Sequence, residues 1–241
     1  MVVFAAFTVL VVLTVARRSQ REALLSKRRQ DWILDIVGLW IQGLIVPALQ
    51  LTVIYWLYSV LLPAGNGSLV LPSVAAFLLS FIGADYLYYW NHRILHSRWL
   101  WPLHYVHHTV TDLDVLGTSR NSLWSSFFIL YLWLHPLFIY LLHDPVPYVF
   151  GVSLTAALDL WRHSQLDPKP GSYGHRWLSS WLVMPTDHAQ HHSSEVARCN
   201  FGANFKLWDR WHGTTAEAAR PPASLGIPTP LTLMQQLFWP W

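Results

Sequence analysis

The chain is laid out as long apolar stretches separated by short polar ones. Residues 2–16 (VVFAAFTVLVVLTVA) are almost unbroken hydrophobe, and RRSQREALLSKRR follows at once. A secretory leader carries its positive charges before the apolar core. This run therefore reads as a short first span, or as an anchor lying partly in the interface. The next stretch, 32–63, contains Asp35, Gln42, Pro47 and Gln50. At about 1.5 Å per residue it is longer than one upright crossing of a roughly 30 Å hydrocarbon core needs. It reads as one tilted, kinked helix or as an interfacial piece followed by a span. PAGNGS at 63–68 is a turn. A third stretch, 69–90, runs straight into NHRILHSRWLWPLHYVHH, and 123–142 and 146–161 form a hairpin around His143-Asp144-Pro145. From Arg162 onward the chain turns polar. The expected fold is all-α: an integral membrane protein of about four to five transmembrane helices under a helical cap.

Composition supports the membrane reading. Of 241 residues, 53% are hydrophobic and 12% charged, against about 25% charged in soluble domains. Fifteen Trp and ten Tyr suit side chains that anchor at membrane interfaces. The net charge of +3 does not point to nucleic acid, because the basic residues flank the apolar stretches. If 33–63 crosses once, 69–90 returns and 123–161 goes out and back, all sixteen Lys and Arg fall on one side. Six lie within 17–29, three within 93–120 and seven from 162 onward, while 63–68 and 143–145 have none. The positive-inside rule makes that side cytoplasmic. A bacterial inner membrane or a eukaryotic endoplasmic reticulum is the expected location.

Both histidine-rich regions then emerge at the same face. The first is His92-Arg-Ile-Leu-His96 followed by His104-Tyr-Val-His107-His108; the second is His163, then His188-Ala-Gln-His191-His192. Residues i and i+4 share a helix face, so His92 and His96 can share a metal. In HxxHH the second and third rings fall on either side of the first, an arrangement suited to two ions side by side. Pro185 is placed to open the second motif's helix, being tolerated in a first turn. His175 is a possible further ligand, and the isolated His135, His143 and His212 read as hydrogen-bonding surface groups. The single Cys199 excludes an internal disulfide and a thiolate cluster. Haem needs one or two axial ligands and a catalytic zinc about three. Eight or nine histidines would serve two ions, and an oxygen-activating iron pair is the best chemical fit. The alternative is a membrane zinc- or copper-binding or transport protein, although a transporter would place ligands within its spans.

The runs ADYLYYWNHRILHSRWLWPLHYVHHT, RHSQL, MPTDHAQHH and NFGANFKLWDRWHGT, in that order, resemble the fatty acid hydroxylase/sterol desaturase superfamily from about Asp85 to Thr214. The resemblance divides the chain into 1–31, an N-terminal anchor and basic linker, and 32–241, the hydroxylase-like membrane domain. It implies a di-iron monooxygenase that uses O2 to hydroxylate or desaturate an unactivated C–H position of a lipid-like substrate. Fatty acyl, sterol and carotenoid compounds all qualify. Its metal ligands, which are also its catalytic residues, would be His92, His96, His104, His107, His108, His163, His188, His191 and His192, with Asp85 and Asp209 in supporting places. No electron-carrier domain or dinucleotide motif is visible, so electrons are expected from a separate cytochrome b5 or ferredoxin type donor. The sequence departs from the family pattern at Trp211-His212-Gly213-Thr214, in the loop DPKPGSYG and in GTSRNSLW, which lacks a further His-Pro.

Overall fold

The computed structural model describes residues 1–194, 198–216 and 222–240, and among them every regular element is a helix. Helix α1 (Val2–Ala16) meets α2 (Arg18–Ser26) at a 97° bend at Arg17. The 32–63 stretch resolves into one continuous helix, α3 (Arg29–Leu61), of 33 residues, about 50 Å long at 1.5 Å per residue. Two wider π-type turns, Ile41–Ile45 and Gln50–Ile54, interrupt its α geometry. Pro47 follows the first, where a widened turn absorbs the hydrogen bond that proline cannot donate.

The third apolar stretch becomes helical only after Pro72 and runs as α4 over 73–95, past its expected end and through the first histidine pair. Short α5 (Trp101–Tyr105) follows. The predicted hairpin is shorter than its hydrophobicity suggested: α6 (Tyr131–Leu141) and α7 (Val146–Arg162). Asn91 causes part of this, donating to the Phe128 carbonyl at 2.9 Å and accepting from the Leu130 N–H at 3.0 Å. Besides short turns at Gly117–Ser119 and Ser125–Phe128, the later helices are α8 (Tyr173–Ser179), α9 (Pro185–His191), α10 (Leu207–His212) and α11 (Leu233–Phe238).

Helix α7 is central, packed against α1 on one side and α4 on the other. Leu10 of α1 and Leu160 of α7 join Val115 and Leu166 in one buried cluster. The 117–119 turn lies so close to α3 that a Cβ on Gly38 would overlap the Ser119 carbonyl. Outward, α3 presents Trp40, Leu44, Leu51, Trp56 and Leu61 to the surroundings. An apolar face of that extent marks a membrane or protein contact. Among the described residues, α3 is the one helix that is long and apolar enough to cross a membrane alone; α1 and α2 qualify only as a bent pair.

Candidate metal centre

The nine histidines of the sequence motifs come together in two buried groups. His92, His96, His104, His108 and His191 form the first; His107, His163, His188 and His192 form the second. Within each group the ligand atoms lie within 4.8 Å of one another. The HxxHH spacing does the sorting. In the first motif the i and i+4 rings, His104 and His108, join one group and His107 the other. In the second motif His188 and His192 stay together and His191 crosses over. The groups abut, with the His108 and His192 rings stacked at 4.5 Å.

Local sequence explains each placement. His92 lies in the last turn of α4 and His96 is the residue that caps its C-terminus, as His163 is the first residue past α7. Pro185 opens α9 as its first residue, and the Met184 N–H donates to Asp187 Oδ2 at 2.8 Å, a capping contact that starts the turn carrying three rings. The first HxxHH motif is less regular than a helix wheel implies, since α5 ends at Tyr105 and His107–Thr109 is a 3-10 turn.

Four rings have their tautomer fixed by a backbone carbonyl. Nδ1–H of His92 donates to Phe201 O at 2.9 Å, His107 to Arg120 O at 3.1 Å, His163 to Asp159 O at 2.8 Å and His191 to Cys199 O at 2.6 Å. Their Nε2 atoms therefore carry lone pairs, not protons. Yet His107 and His163 set Nε2 against Nε2 at 3.3 Å, a lone pair facing a lone pair. Further ring nitrogens are buried with no hydrogen-bond partner among the described residues: Nδ1 of His104, His188 and His192, both nitrogens of His108 and Nε2 of His191. Each unmatched buried polar atom costs about 1–3 kcal/mol. A cation in each group relieves both problems, so these residues fit a metal pair. The two groups contain imidazoles only, which suits iron, zinc, copper or nickel and not magnesium or calcium. Burial, with like-charged neighbours, pushes His104, His107, His108, His188 and His192 well below the usual imidazole value, and His191 down to about 4. All are neutral at pH 7, the form that binds metal.

A second layer holds the rings. Asp209 accepts the N–H groups of Phe201 at 2.8 Å and Gly202 at 2.7 Å and the Thr214 hydroxyl at 2.7 Å. It thus fixes the peptide whose carbonyl orients His92. Gly202 is required there, since a Cβ would stand 2.6 Å from the Phe205 carbonyl. Asn200 adopts φ +52°, a left-handed conformation that asparagine tolerates, and donates to the Asp187 carbonyl at 2.9 Å. Asp85 accepts from the Asn204 N–H at 2.7 Å and Trp208 Nε1 at 2.6 Å, tying α4 to the α10 region.

Several contributors carried no sequence signal. Arg120 pairs with Asp31 at 2.9 Å and Asp35 at 2.6 Å, and Lys27 joins Asp35 and Asp114, a buried ionic knot beneath the His107 carbonyl acceptor. The Asp31/Asp35 i,i+4 spacing was the available clue. Arg162 is held by the Ala203 carbonyl and Asp159. His175 lies outside both groups, its backbone N–H bonded to Ser172 Oγ. His212 stacks on Tyr89 at 5.0 Å, and His143 is exposed. His135 corrects the surface reading: it is buried, with Nδ1 3.0 Å from the Tyr148 hydroxyl, because the hairpin folds it inward.

A cavity of about 690 Å³ reaches the site. His92, His104, His107, His163 and His188 line its floor, and its walls are mostly apolar side chains of α1, α3 and α7. At its mouth Phe4, Trp40 and Leu44 are also exposed on the outer apolar face. The size is that of a small-molecule site.

Residues 77–214, more than half the chain, match the family model described as fatty acid hydroxylase. Curated relatives include an ornithine lipid hydroxylase of Rhizobium tropici, 31% identical over 65% of this chain and 46% of the relative. Alkylglycerol monooxygenases of Xenopus tropicalis (29% identical, 56% of this chain, 29% of the relative) and Homo sapiens (24%, 66% and 34%) also match. The chain thus spans less than half the length of these relatives. No solved structure matches.

Proposed function

This chain belongs to the fatty acid hydroxylase family, and from that premise we propose that it is a membrane-embedded di-iron monooxygenase that hydroxylates or desaturates a lipid. One observation carries the reading: an apolar cavity, open on the outer apolar face, ends on two adjoining all-histidine groups. The first iron would be held by His92, His96, His104, His108 and His191, and the second by His107, His163, His188 and His192. When bound, the iron pair supplies activation of O2 with electrons from outside the chain.

The protein's own residues do the rest. The walls of α1, α3 and α7 exclude water and align one carbon of the lipid over the floor. The carbonyls of Phe201, Arg120, Asp159 and Cys199 hold four rings in the ligating tautomer. The exposed apolar face of α3, together with the one-sided Lys and Arg distribution, supports a multi-pass topology with the histidines on the cytoplasmic side. In it 73–95 and the α6–α7 hairpin enter the membrane beside α3, and 1–31 is an anchor preceding the 32–241 membrane domain. Basic residues on that side suit an acidic donor of cytochrome b5 or ferredoxin type. The relatives named for ornithine lipid and alkylglycerol support a lipid with a polar headgroup as substrate.

Comparative lipid mass spectrometry of cells with and without the active protein tests the reading. A lipid changed by one oxygen or two hydrogens, together with two irons per purified chain, is expected. Full product formation by both His107→Ala and His191→Ala would sink it. Zinc or copper alone, with no product, would turn the assignment to a metal-binding or transport protein.

A further inference from the structure

One side chain of the cavity wall is fixed at every point except its polar end. Tyr131, the first residue of α6, lines the cavity. Its carbonyl accepts from Gln50 Nε2 of α3 at 2.8 Å, and the preceding Leu130 N–H is held by Asn91. Its ring lies between two others in near-parallel stacks: Tyr88 at 4.7 Å and 10°, and His135 at 4.7 Å and 14°. His135 is itself immobilised through the Tyr148 hydroxyl. Three helices thus converge to hold one phenol. Its hydroxyl is buried and has no hydrogen-bond partner among the described residues. A buried phenol in an apolar setting ordinarily finds a partner. Tyr88, the inner member of the stack, also touches His92 of the first histidine group, with rings 5.5 Å apart. The unpartnered donor therefore stands two ring contacts from the metal centre.

Resting on the lipid-hydroxylase reading, we propose that Tyr131 is a specificity-determining residue whose hydroxyl donates a hydrogen bond to an oxygen of the bound lipid. The substrate is then a chain bearing an ether, ester or hydroxyl oxygen near the carbon presented to the histidine groups, and not hydrocarbon throughout. The fixed ring sets the distance from that oxygen to the reacting carbon, and thereby the position oxidised. A plain alkyl segment leaves the donor buried and unmatched, and is selected against for that reason.

The test uses the full chain in nanodiscs and two tritiated probes of nearly equal shape, hexadecyl methyl ether and octadecane, with binding corrected for partition into protein-free discs. Wild type is expected to favour the ether by about five-fold, the worth of one net hydrogen bond. Tyr131→Phe should bind octadecane as wild type does and lose the preference. A second comparison needs no variant: hexadecyl methyl sulfide, a weak acceptor of similar shape, should bind like the alkane. Equal binding of ether and alkane by wild type, a preference that survives in Y131F, or sulfide binding equal to that of the ether would each overturn the inference. Octadecane binding would persist in all three cases and leave the hydroxylase reading intact. Wild type that binds no probe would overturn both.

Discussion

Asp209→Asn isolates the second layer around the metal centre with a minimal change. The carboxylate takes three hydrogen bonds: Oδ1 from the Phe201 N–H and the Thr214 hydroxyl, Oδ2 from the Gly202 N–H. An amide keeps one oxygen, and its NH2 must face a backbone N–H. One buried donor is then unmatched, at a cost of about 1–3 kcal/mol. The peptide that carries the Phe201 carbonyl rotates to relieve the clash, and that carbonyl is what orients His92 Nδ1 at 2.9 Å. Loss of such an outer partner weakens metal binding by about 10- to 100-fold. The assay is the chelator concentration that strips half the iron from the purified chain, measured beside the unfolding midpoint of the metal-free form. Exposed Asp112→Asn serves as the control. Iron affinity within threefold of wild type, with only the midpoint lowered, would mean that Asp209 supports the loop and not the ligand.

Three further outcomes follow from the same geometry. Gly43 lines the cavity, and a Cβ there would meet nothing within 4 Å; Gly43→Phe should fill the passage, abolish product and leave iron content unchanged, and lost iron would refute it. Arg120→Met strips one of two cationic partners from each of two buried carboxylates, leaving Arg28 on Asp31 and Lys27 on Asp35, which should cost somewhat less than the about 3–5 kcal/mol of a fully unpaired buried charge; denaturant unfolding reads it, and a wild-type midpoint would refute the buried knot. The histidine groups make the metal-free protein acid-labile. Above the free imidazole value near 6.5, folded and unfolded chains are equally neutral. Below it the unfolded chain takes up protons that the buried rings, His191 at about 4 among them, refuse. Stability should therefore fall as pH drops from about 6.5 toward 4, and a flat profile over that range would refute it.

Much of the centre was legible because ligand spacing is a local property. The HxxHH interval sets the i and i+4 rings apart from the i+3 ring in both motifs, but which group each ring joins depends on the fold, as His191 joining His104 and His108 shows. The carbonyl acceptors could not be read, because a backbone oxygen has no sequence identity: nothing in Cys199 or Phe201 marks its carbonyl as the partner of a ring roughly ten or a hundred positions away. Helix limits failed for a similar reason. Hydrophobicity alone extended the hairpin back to 123, and a single polar side chain, Asn91, reached across from another helix to end it at Tyr131. Burial of His135 likewise depended on where the hairpin folded. The lone proline of α3 suggested a kink, and the π-turns accommodate it without breaking the helix.

The mixing of motifs in the two groups has a mechanical side. The chain has one cysteine and so cannot be sewn by disulfides, yet each histidine group joins segments far apart along the sequence. The first ties His92 to His191, roughly 100 residues away, and the second ties His107 to His192. An ion held in either group is a cross-link, and closing a loop of that length in the unfolded chain is worth about 4–5 kcal/mol on chain entropy alone. The same atoms that serve the reaction would then be the stitches of the fold. A chain starved of metal should unfold more readily as well as lose its activity.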